Sequence, residues 1–488
     1  MSLSQGVFPD SLKLAKVIPV YKSSDPNLIA NYRPISLLPA FSKIFEKVMY
    51  KKLMVFLERF DLLYRHQYGF RKKHNTVHPI VHLLSSVAEA NSQIPSNIVL
   101  SIFCDLSKAF DVINHDILMD KLYRYGIRGV AHKWLKCYLS NRMQYVEYDK
   151  YISSTKRITT GVPQGSILGP LLFLIFVNDI QYSSTGTILS FADDTTLIFH
   201  NNDLSRLYNE ANRGLSDIQN WFCANGLKLN IDKTKYIIIH PQNKRLHLAD
   251  HELLIDGVKL TRVGNDCPQK HAKFLGVLLD ENLKWNEHIS HVNNKIASAL
   301  YIMNQVKNFL PLSSLKIIYY ALIHSHLNYG LISWGSASKS LLKRTHILHK
   351  KAMRIVSGAG YNSHSLPLHK RHNVLNLSDL FNLHVCLFMH DHSTQKLPRS
   401  FTNMFRLNSD VQRTYRTRSN NLYYVGFART SFVKCLPPYL YPNIWNTFSK
   451  MTDASVSKQM FKRALTSAML AKYPERVMCQ NRFCRDCY

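Results

Sequence analysis

The sequence predicts an α+β protein in which an antiparallel sheet, backed by helices, is followed by a helical region and a C-terminal extension. Three apolar, β-branched runs predict the sheet, namely Ile98–Leu106, Ile188–Phe191 and Thr195–Phe199. They have the length and composition of buried strands. Between residues 286 and 358 apolar residues recur at helical spacing, with basic residues on the polar faces. A chain of 488 residues exceeds what one hydrophobic core usually spans, so several structural units are expected.

The remaining elements follow from local patterns along the chain. Leu14–Lys22 is predicted to be a strand that Pro19 interrupts, and Ser36–Phe60 a helix, because its apolar residues are three and four apart. Further helices are predicted over Asp116–Arg124, His132–Leu139, Gly165–Val177 (after a glycine-rich turn) and Leu204–Phe222, and further strands over Tyr236–His240 and Phe274–Asp280. Residues 361–488 contain short mixed elements that the pattern does not assemble into a fold.

The charge balance points to a polyanionic partner. The chain has 62 Lys and Arg against 32 Asp and Glu, a net charge of +30. Nucleic acid is the first candidate and an anionic membrane surface the second, and a solvated basic surface is the alternative. The longest apolar stretch, Leu171–Val177, is far shorter than the roughly 20 residues that span a bilayer, and the N-terminus lacks a signal-peptide pattern. A membrane protein is therefore not expected.

Three acids stand where strands are predicted to end. Asp105 lies at the end of the run that starts at Ile98, and Asp193 and Asp194 form the tip of a predicted hairpin. Each feature alone has an ordinary explanation, as a helix cap or as good turn chemistry. If the strands are neighbours in one sheet, however, the three carboxylates meet at one edge. Hard divalent cations such as Mg²⁺ prefer oxygen ligands of this kind, and two such ions can promote phosphoryl transfer.

The segments around these acids resemble a known family. The sequence FADD at Phe191–Asp194 resembles the catalytic box of reverse transcriptases, and the segments Cys104–Leu118 and Gly161–Ile180 resemble the first catalytic box and the Gln-Gly box of non-LTR elements. Further boxes follow the expected order at Asn31–Met49, His66–Thr76, Trp221–Lys235 and Lys273–Asp280. The sequences of these boxes are similar to those of the jockey-like branch of LINE-type retrotransposons.

The resemblance implies a right-hand polymerase. Its expected units are fingers at residues 1–95, a palm with the catalytic acids at 96–284, a helical thumb at 285–360 and an RNA-binding-like extension at 361–488. The implied activity is RNA-directed DNA synthesis with two Mg²⁺ or Mn²⁺ ions, on an RNA template and a DNA primer with deoxynucleoside triphosphates. The resemblance fixes no compartment, although a nuclear location would suit such an element.

The resemblance also assigns roles to individual residues. Asp105 and Asp193 would bridge both metal ions, Asp194 would complete the cage, and Lys233 would neutralise the departing pyrophosphate. Phe110 would exclude a 2′-hydroxyl, with core packing as the alternative. The other implied contacts are Gln164 and Gly165 with the nucleotide and template base, Arg33 and Arg71 with the triphosphate, and Phe274, Leu275 and Gly276 with the primer terminus. The Gln-Gly pair could instead be a turn, Lys233 merely solvated, and the last three residues core.

The sequence departs from the family in two places. Complete elements carry an endonuclease ahead of the polymerase, and the residues before Leu12 leave no room for one, so a fragment or a polymerase-only product is expected. Alternatives are an inactive element that only binds nucleic acid, a maturase-like polymerase, or an RNA-dependent RNA polymerase, against which Phe110 argues. Near the end, Cys479, Cys484 and Cys487 lack an evident fourth zinc ligand, which favours a reduced tail over a zinc site.

Overall fold

The protein is described by a computed structural model that covers residues 2–22, 25–244, 246–248, 250–411 and 422–475. Its strands are β1 (Leu14–Tyr21), β2 (Tyr32–Leu37), β3 (Ile98–Cys104), β4 (Arg142–Tyr148), β5 (Tyr151–Ile152), β6 (Lys156–Ile158), β7 (Thr187–Phe191), β8 (Asp194–Asn201), β9 (Lys235–Ile239), β10 (Leu254–Ile255), β11 (Val258–Lys259), β12 (Thr261–Val263), β13 (Ala272–Phe274) and β14 (Val277–Leu279). The predicted α+β class is confirmed.

The helices fall into three groups along the chain. The first group is α1 (Ser2–Gln5), α2 (Ala40–Arg59), α3 (Val77–Ser92), α4 (His115–Arg124), α5 (Gly129–Leu139), α6 (Leu168–Val177) and α7 (Leu204–Ala224). The second is α8 (Asn286–Val306), α9 (Leu312–Tyr319), α10 (Ser325–Asn328), α11 (Leu331–Trp334) and α12 (Lys339–Ser357). The third is α13 (Ser365–His372), α14 (Leu377–Ser393), α15 (Asn408–Val411), α16 (Ser431–Lys434), α17 (Pro437–Phe448) and α18 (Lys458–Ala471).

A five-stranded sheet in the order β12-β9-β3-β8-β7 forms the centre of the molecule. Its pairs are antiparallel except for the parallel pair of β9 and β12. Alternate residues of β3 face opposite sides, so Leu100 packs into the core formed with α4, α6 and α7. Val99 packs into a second core that contains α3 and the helices beyond residue 286. Because both faces are covered, the strands read as continuous apolar runs in the sequence.

The N-terminal strands form a second sheet, ordered β2-β1-β4-β5 with β6 beside β4. Here β1 does not stop at Pro19 as predicted but continues to Tyr21. The pairing with β4 ends at Val17, and Pro19 lies opposite Pro34 of β2. Proline has no backbone N–H, but because β4 does not pair with β1 at this position, no hydrogen bond to β4 is lost.

Two further differences from the prediction change the type of element to which residues belong. Ser36 and Leu37 belong to strand β2, and the helix starts only at Ala40, because Pro39 favours an extended residue before it. The predicted strand Phe274–Asp280 is instead the hairpin of β13 and β14. Positive φ angles of 45° at Leu275 and 85° at Gly276 turn the chain back on itself.

The C-terminal helices do not form an independent core. Phe401, Trp445 and Phe461 lie in the same hydrophobic cluster as residues of α3, of the central sheet and of α8. Residues 412–421 and 476–488 of the expected RNA-binding-like extension lie outside the described residues, and with them Cys479, Cys484 and Cys487. None of the helices in the described ranges combines the length and the apolar content that crossing a lipid bilayer requires.

Candidate active site

Strand pairing brings the three acids to one edge of the central sheet. Cys104, the last residue of β3, lies opposite Thr195 of β8. Asp105 directly follows Cys104, and Asp194 directly precedes Thr195, so both acids adjoin this last pair of the register. The charge of Asp105 acts on both Asp193 and Asp194. Asp193 occupies the two-residue turn that joins β7 to β8. The structure thus brings together the three acids that the sequence singled out.

The acids influence one another electrostatically. Burial raises the pKa of Asp193, the charge of Asp105 adds to the rise, and Arg33 and Lys22 oppose it. Desolvation, together with repulsion from Asp193 and Asp105, raises the pKa of Asp194 to about 6, against the attraction of Lys273. Asp194 keeps more than a third of its surface exposed, so its negative charge is held close to other carboxylates and still faces solvent. Like charges in such proximity favour a cation among them.

The second sheet places basic side chains against these acids. Arg33 of β2 lies opposite Val20 of β1, and Lys22 follows two residues later, so both share one face of the sheet. Both are exposed, and both act on Asp193. Sequence reasoning selected Arg33 but missed Lys22. The signal was present, because Lys22 is the last residue of the predicted strand Leu14–Lys22, which precedes the box containing Arg33.

Arg71 lies in a different setting from Arg33. Its Nη1 donates to the carbonyl oxygens of Tyr64 and Gln67, at 2.8 and 3.3 Å. Burial lowers the pKa of Arg71, and its nearest acidic charges are Asp61 and Glu58. The guanidinium is engaged in holding its own loop.

Lys233 lies beside the acids, as expected. Its Nζ is 3.9 Å from the Oδ2 of Asp105, and 63% of its side chain is exposed. A pair this exposed contributes little to stability. The ammonium group is therefore free to meet an anionic ligand at the same edge.

Phe110 and the Gln-Gly loop form one connected unit beside the acids. The Phe110 ring is half-buried and stacks on Phe173 at 4.4 Å between centroids, with Phe70 edge-on at 5.9 Å. The backbone N–H of Val162 donates to the Phe110 carbonyl at 2.9 Å. The Gln164 amide donates to Asp111 at 2.8 Å, so this side chain fixes the Phe110 loop.

Gly165 joins this loop to the N-terminal sheet. Its φ is +129°, and a Cβ there would lie 2.5 Å from the carbonyl oxygen of Ser36. The N–H of Ser36 donates to the Gln164 carbonyl at 2.7 Å. Glycine is thus required by the close approach of strand β2 as well as by the turn.

The predicted primer-contacting residues form the turn of the β13–β14 hairpin. Phe274 is 5% exposed and packs against Phe103 at 5.4 Å, so it belongs to the core. The carbonyl oxygen of Leu275 accepts a hydrogen bond from the Tyr329 hydroxyl at 2.5 Å. A Cβ on Gly276 would contact the Tyr329 ring at 2.8 Å. The turn is therefore braced by the helical region.

The chemistry of the acid cluster fits divalent cations. All its oxygen donors are carboxylates, and basic side chains stand across from them. Within the described ranges no three Asp, Glu, His or Cys side chains are closed around a common point. The three carboxylates therefore lie near one another but do not surround a single point, as expected for like charges that repel.

A sheet edge with three carboxylates, which faces basic side chains of a second sheet and is followed by a helical region, defines a right-hand nucleotide-polymerising fold. The family model described as reverse transcriptase (RNA-dependent DNA polymerase) matches residues 20–279, more than half of the chain. The chain belongs to the reverse transcriptase family. Members of this family generally use divalent metal ions.

Individual relatives come from retrotransposons. The chain is 28% identical over 402 residues to "Probable RNA-directed DNA polymerase from transposon BS" of Drosophila melanogaster, covering 77% of this chain and 42% of that protein. It is 28% identical over 390 residues to "RNA-directed DNA polymerase from mobile element jockey" of the same fly, covering 77% and 41%. The chain thus spans about two fifths of the length of these relatives. A solved structure of apo telomerase from Candida tropicalis aligns with a TM-score of 0.40 and 13% identity, over 72% of this chain and 59% of that one.

Proposed function

We propose that this chain is the RNA-directed DNA polymerase of a non-LTR retrotransposon. The reaction is attack of a primer 3′-hydroxyl on the α-phosphorus of a deoxynucleoside triphosphate, forming the new phosphodiester bond and releasing pyrophosphate. The observation that carries the proposal is the register of β3 with β8, whose last pair adjoins Asp105 on one strand and Asp194 on the other, next to the turn that contains Asp193. The mutual effects of the three charges agree with this placement. Family membership and the retrotransposon relatives support the choice of template and product.

The acidic and basic residues of the site would have separate roles. Asp105, Asp193 and Asp194 would hold two Mg²⁺ or Mn²⁺ ions, which when bound lower the pKa of the attacking hydroxyl and stabilise the leaving pyrophosphate. Arg33 and Lys22 would hold the triphosphate from the side of the fingers. Lys233, 3.9 Å from Asp105, would meet the charge that develops on the pyrophosphate.

The remaining residues would position the substrates. The edge of Phe110, supported by Phe173, would lie under the sugar and exclude a 2′-hydroxyl. Gln164 would act through Asp111 by fixing the Phe110 loop, while the exposed backbone at Gly165 would approach the template base. The turn at Leu275 and Gly276, braced by Tyr329, would support the primer terminus. Arg71 would act indirectly by holding the loop behind the hairpin.

The units follow the same scheme. Residues 1–95 would form the fingers, 96–284 the palm and 285–360 the thumb, with 361–488 as an extension that contacts the RNA. The basic faces of the thumb suit the phosphates of a template–primer duplex.

Primer extension on poly(rA)/oligo(dT) with dTTP and Mg²⁺ or Mn²⁺ tests the proposal. Wild type should extend the primer, and Asp193→Asn should not. Asp217→Asn is the matched control, because Asp217 is an exposed acid on α7. Equal extension by wild type and Asp193→Asn would reject the site. Heparin binding by a folded wild type that extends no primer would reject the activity.

A further inference from the structure

The segment before Arg71 is built onto the catalytic hairpin. The N–H of Ser190 donates to the His66 carbonyl at 3.0 Å, and the N–H of Tyr68 donates to the Ser190 carbonyl at 2.8 Å. Residues 66–68 thus cover the outer edge of β7, the last strand of the central sheet. An edge strand covered in this way cannot slip or pair elsewhere.

Gln67 grips the turn of the hairpin with both ends of its amide. Its Oε1 accepts the N–H of Ala192 at 3.0 Å and that of Gly69 at 2.8 Å. Its Nε2 faces the Ala192 carbonyl at 3.3 Å. The side chain is 4% exposed, so these bonds are shielded from water. Gly69 lies so near that a Cβ on it would be 2.1 Å from the Ala192 nitrogen.

The gripped residue is conformationally strained. Ala192 is the first central residue of the two-residue turn and has a φ of +58°. Hairpins that need a positive φ at this position usually place glycine there. A residue with a Cβ is strained in such a region and persists only where its surroundings impose it. The position of Asp193, the next residue, therefore depends on the conformation of this turn.

We propose that Gln67 is a positioning residue for catalysis, which holds Ala192 in its left-handed conformation and thereby fixes Asp193 and Asp194 against Asp105. The inference rests on the proposed polymerase function for its catalytic consequence. Gln67 touches neither substrate nor metal ion. Its effect is on the fraction of molecules whose carboxylates are correctly placed, and so on kcat rather than on the binding of the nucleotide.

The same segment is itself anchored from behind. The Tyr68 hydroxyl lies 2.6 Å from Nδ1 of His82 and 3.0 Å from the Ser400 hydroxyl. Tyr68 is 1% exposed. The segment that contains Gln67 is thus fixed against α3 and the C-terminal region. Gln67 therefore keeps its position when ligands bind at the hairpin.

A double-mutant cycle between Gln67→Met and Ala192→Gly tests the proposal in the full chain. Gln67→Met keeps the size of the side chain and removes both hydrogen bonds to Ala192. It should lower kcat for dTTP by about ten- to a hundredfold, the range expected when a catalytic group is misplaced by about 1 Å. The KM for dTTP should change by less than about threefold. Ala192→Gly removes the strain and should restore most of the lost kcat in the Gln67→Met background.

A second readout does not depend on activity. Hydrogen exchange of a peptide covering residues 187–201 should accelerate in Gln67→Met and not in Gln459→Met, a matched change at an exposed glutamine on α18. Faster exchange with an inactive wild type would uphold the clamp and reject the polymerase proposal. If Gln67→Met does not fold, Gln67→Asn, which keeps the amide but falls short of Ala192, replaces it. Unchanged kcat and exchange, or an equal loss of kcat with and without Ala192→Gly, would overturn the proposal.

Discussion

The steric role proposed for Phe110 gives the prediction with the clearest magnitude. Replacing Phe110 with alanine removes a ring that packs on Phe173 and Phe70. A fully buried Phe→Ala change costs about 3–5 kcal/mol, so this half-buried ring should cost about 2 kcal/mol of stability. In the proposed role, the stack on Phe173 would keep the ring from turning aside to admit a 2′-hydroxyl. Relief of that clash should relax the preference for dTTP over UTP by about a hundredfold, equivalent to about 2.7 kcal/mol.

The assay is the ratio of kcat/KM for dTTP and UTP in primer extension on poly(rA)/oligo(dT). Phe110→Tyr keeps the ring and should keep the discrimination, so it is the matched control. Phe173→Leu removes the stacked partner and should relax discrimination to an intermediate degree. A folded Phe110→Ala enzyme that rejects UTP as strongly as wild type would refute the reasoning.

Two further predictions concern charge. Lys22→Ala and Arg33→Ala should each raise the KM for dTTP by about tenfold, because each removes one cation that acts on Asp193. Lys43→Ala, at an exposed lysine of α2, is the control and should leave the KM unchanged. An unchanged KM in the first two variants would show that Lys22 and Arg33 do not hold the triphosphate. Burial lowers the pKa of His78 to about 3, below its ordinary 6.5, so the unfolded chain takes up a proton below about pH 6.5 that the folded chain refuses until about pH 3. This stability is present above pH 6.5 and is lost as the pH falls, by about 2 kcal/mol at pH 5. His78→Phe should reduce the decline in urea-unfolding free energy between pH 7 and pH 5 by about that amount, and an unchanged decline would contradict the buried, neutral state.

The sequence predicted the elements whose pattern is local. The hairpin around Asp193 was readable because two short β-branched runs flank turn-forming acids, and helix α6 because an apolar run follows glycine-rich turn chemistry. The apolar pattern alone did not predict the turn at Leu275, since a leucine with a positive φ gives no signal in an apolar run. Pro19 was taken for a break because the position where β4 stops pairing cannot be read from β1 alone.

Residues whose roles depend on contacts between distant parts of the chain could not be identified from the sequence. Gln67 meets Ala192 across 125 positions, and Lys22 reaches Asp193 only through the arrangement of two separate sheets. The C-terminal helices could not be assembled from the sequence for the same reason. Phe401 packs against His78 and His82 of α3, more than 300 residues earlier in the chain. Their apolar faces predict burial but not the partner.

Anomalous scattering from Mn²⁺ in crystals of the protein with poly(rA)/oligo(dT) and dTTP would test the proposed two-metal site. We expect two peaks roughly 4 Å apart, each about 2.0–2.2 Å from carboxylate oxygens of Asp105, Asp193 or Asp194, and no such pair in Asp193→Asn. Peaks bound by other side chains, or the same two peaks in the Asp193→Asn crystals, would contradict it.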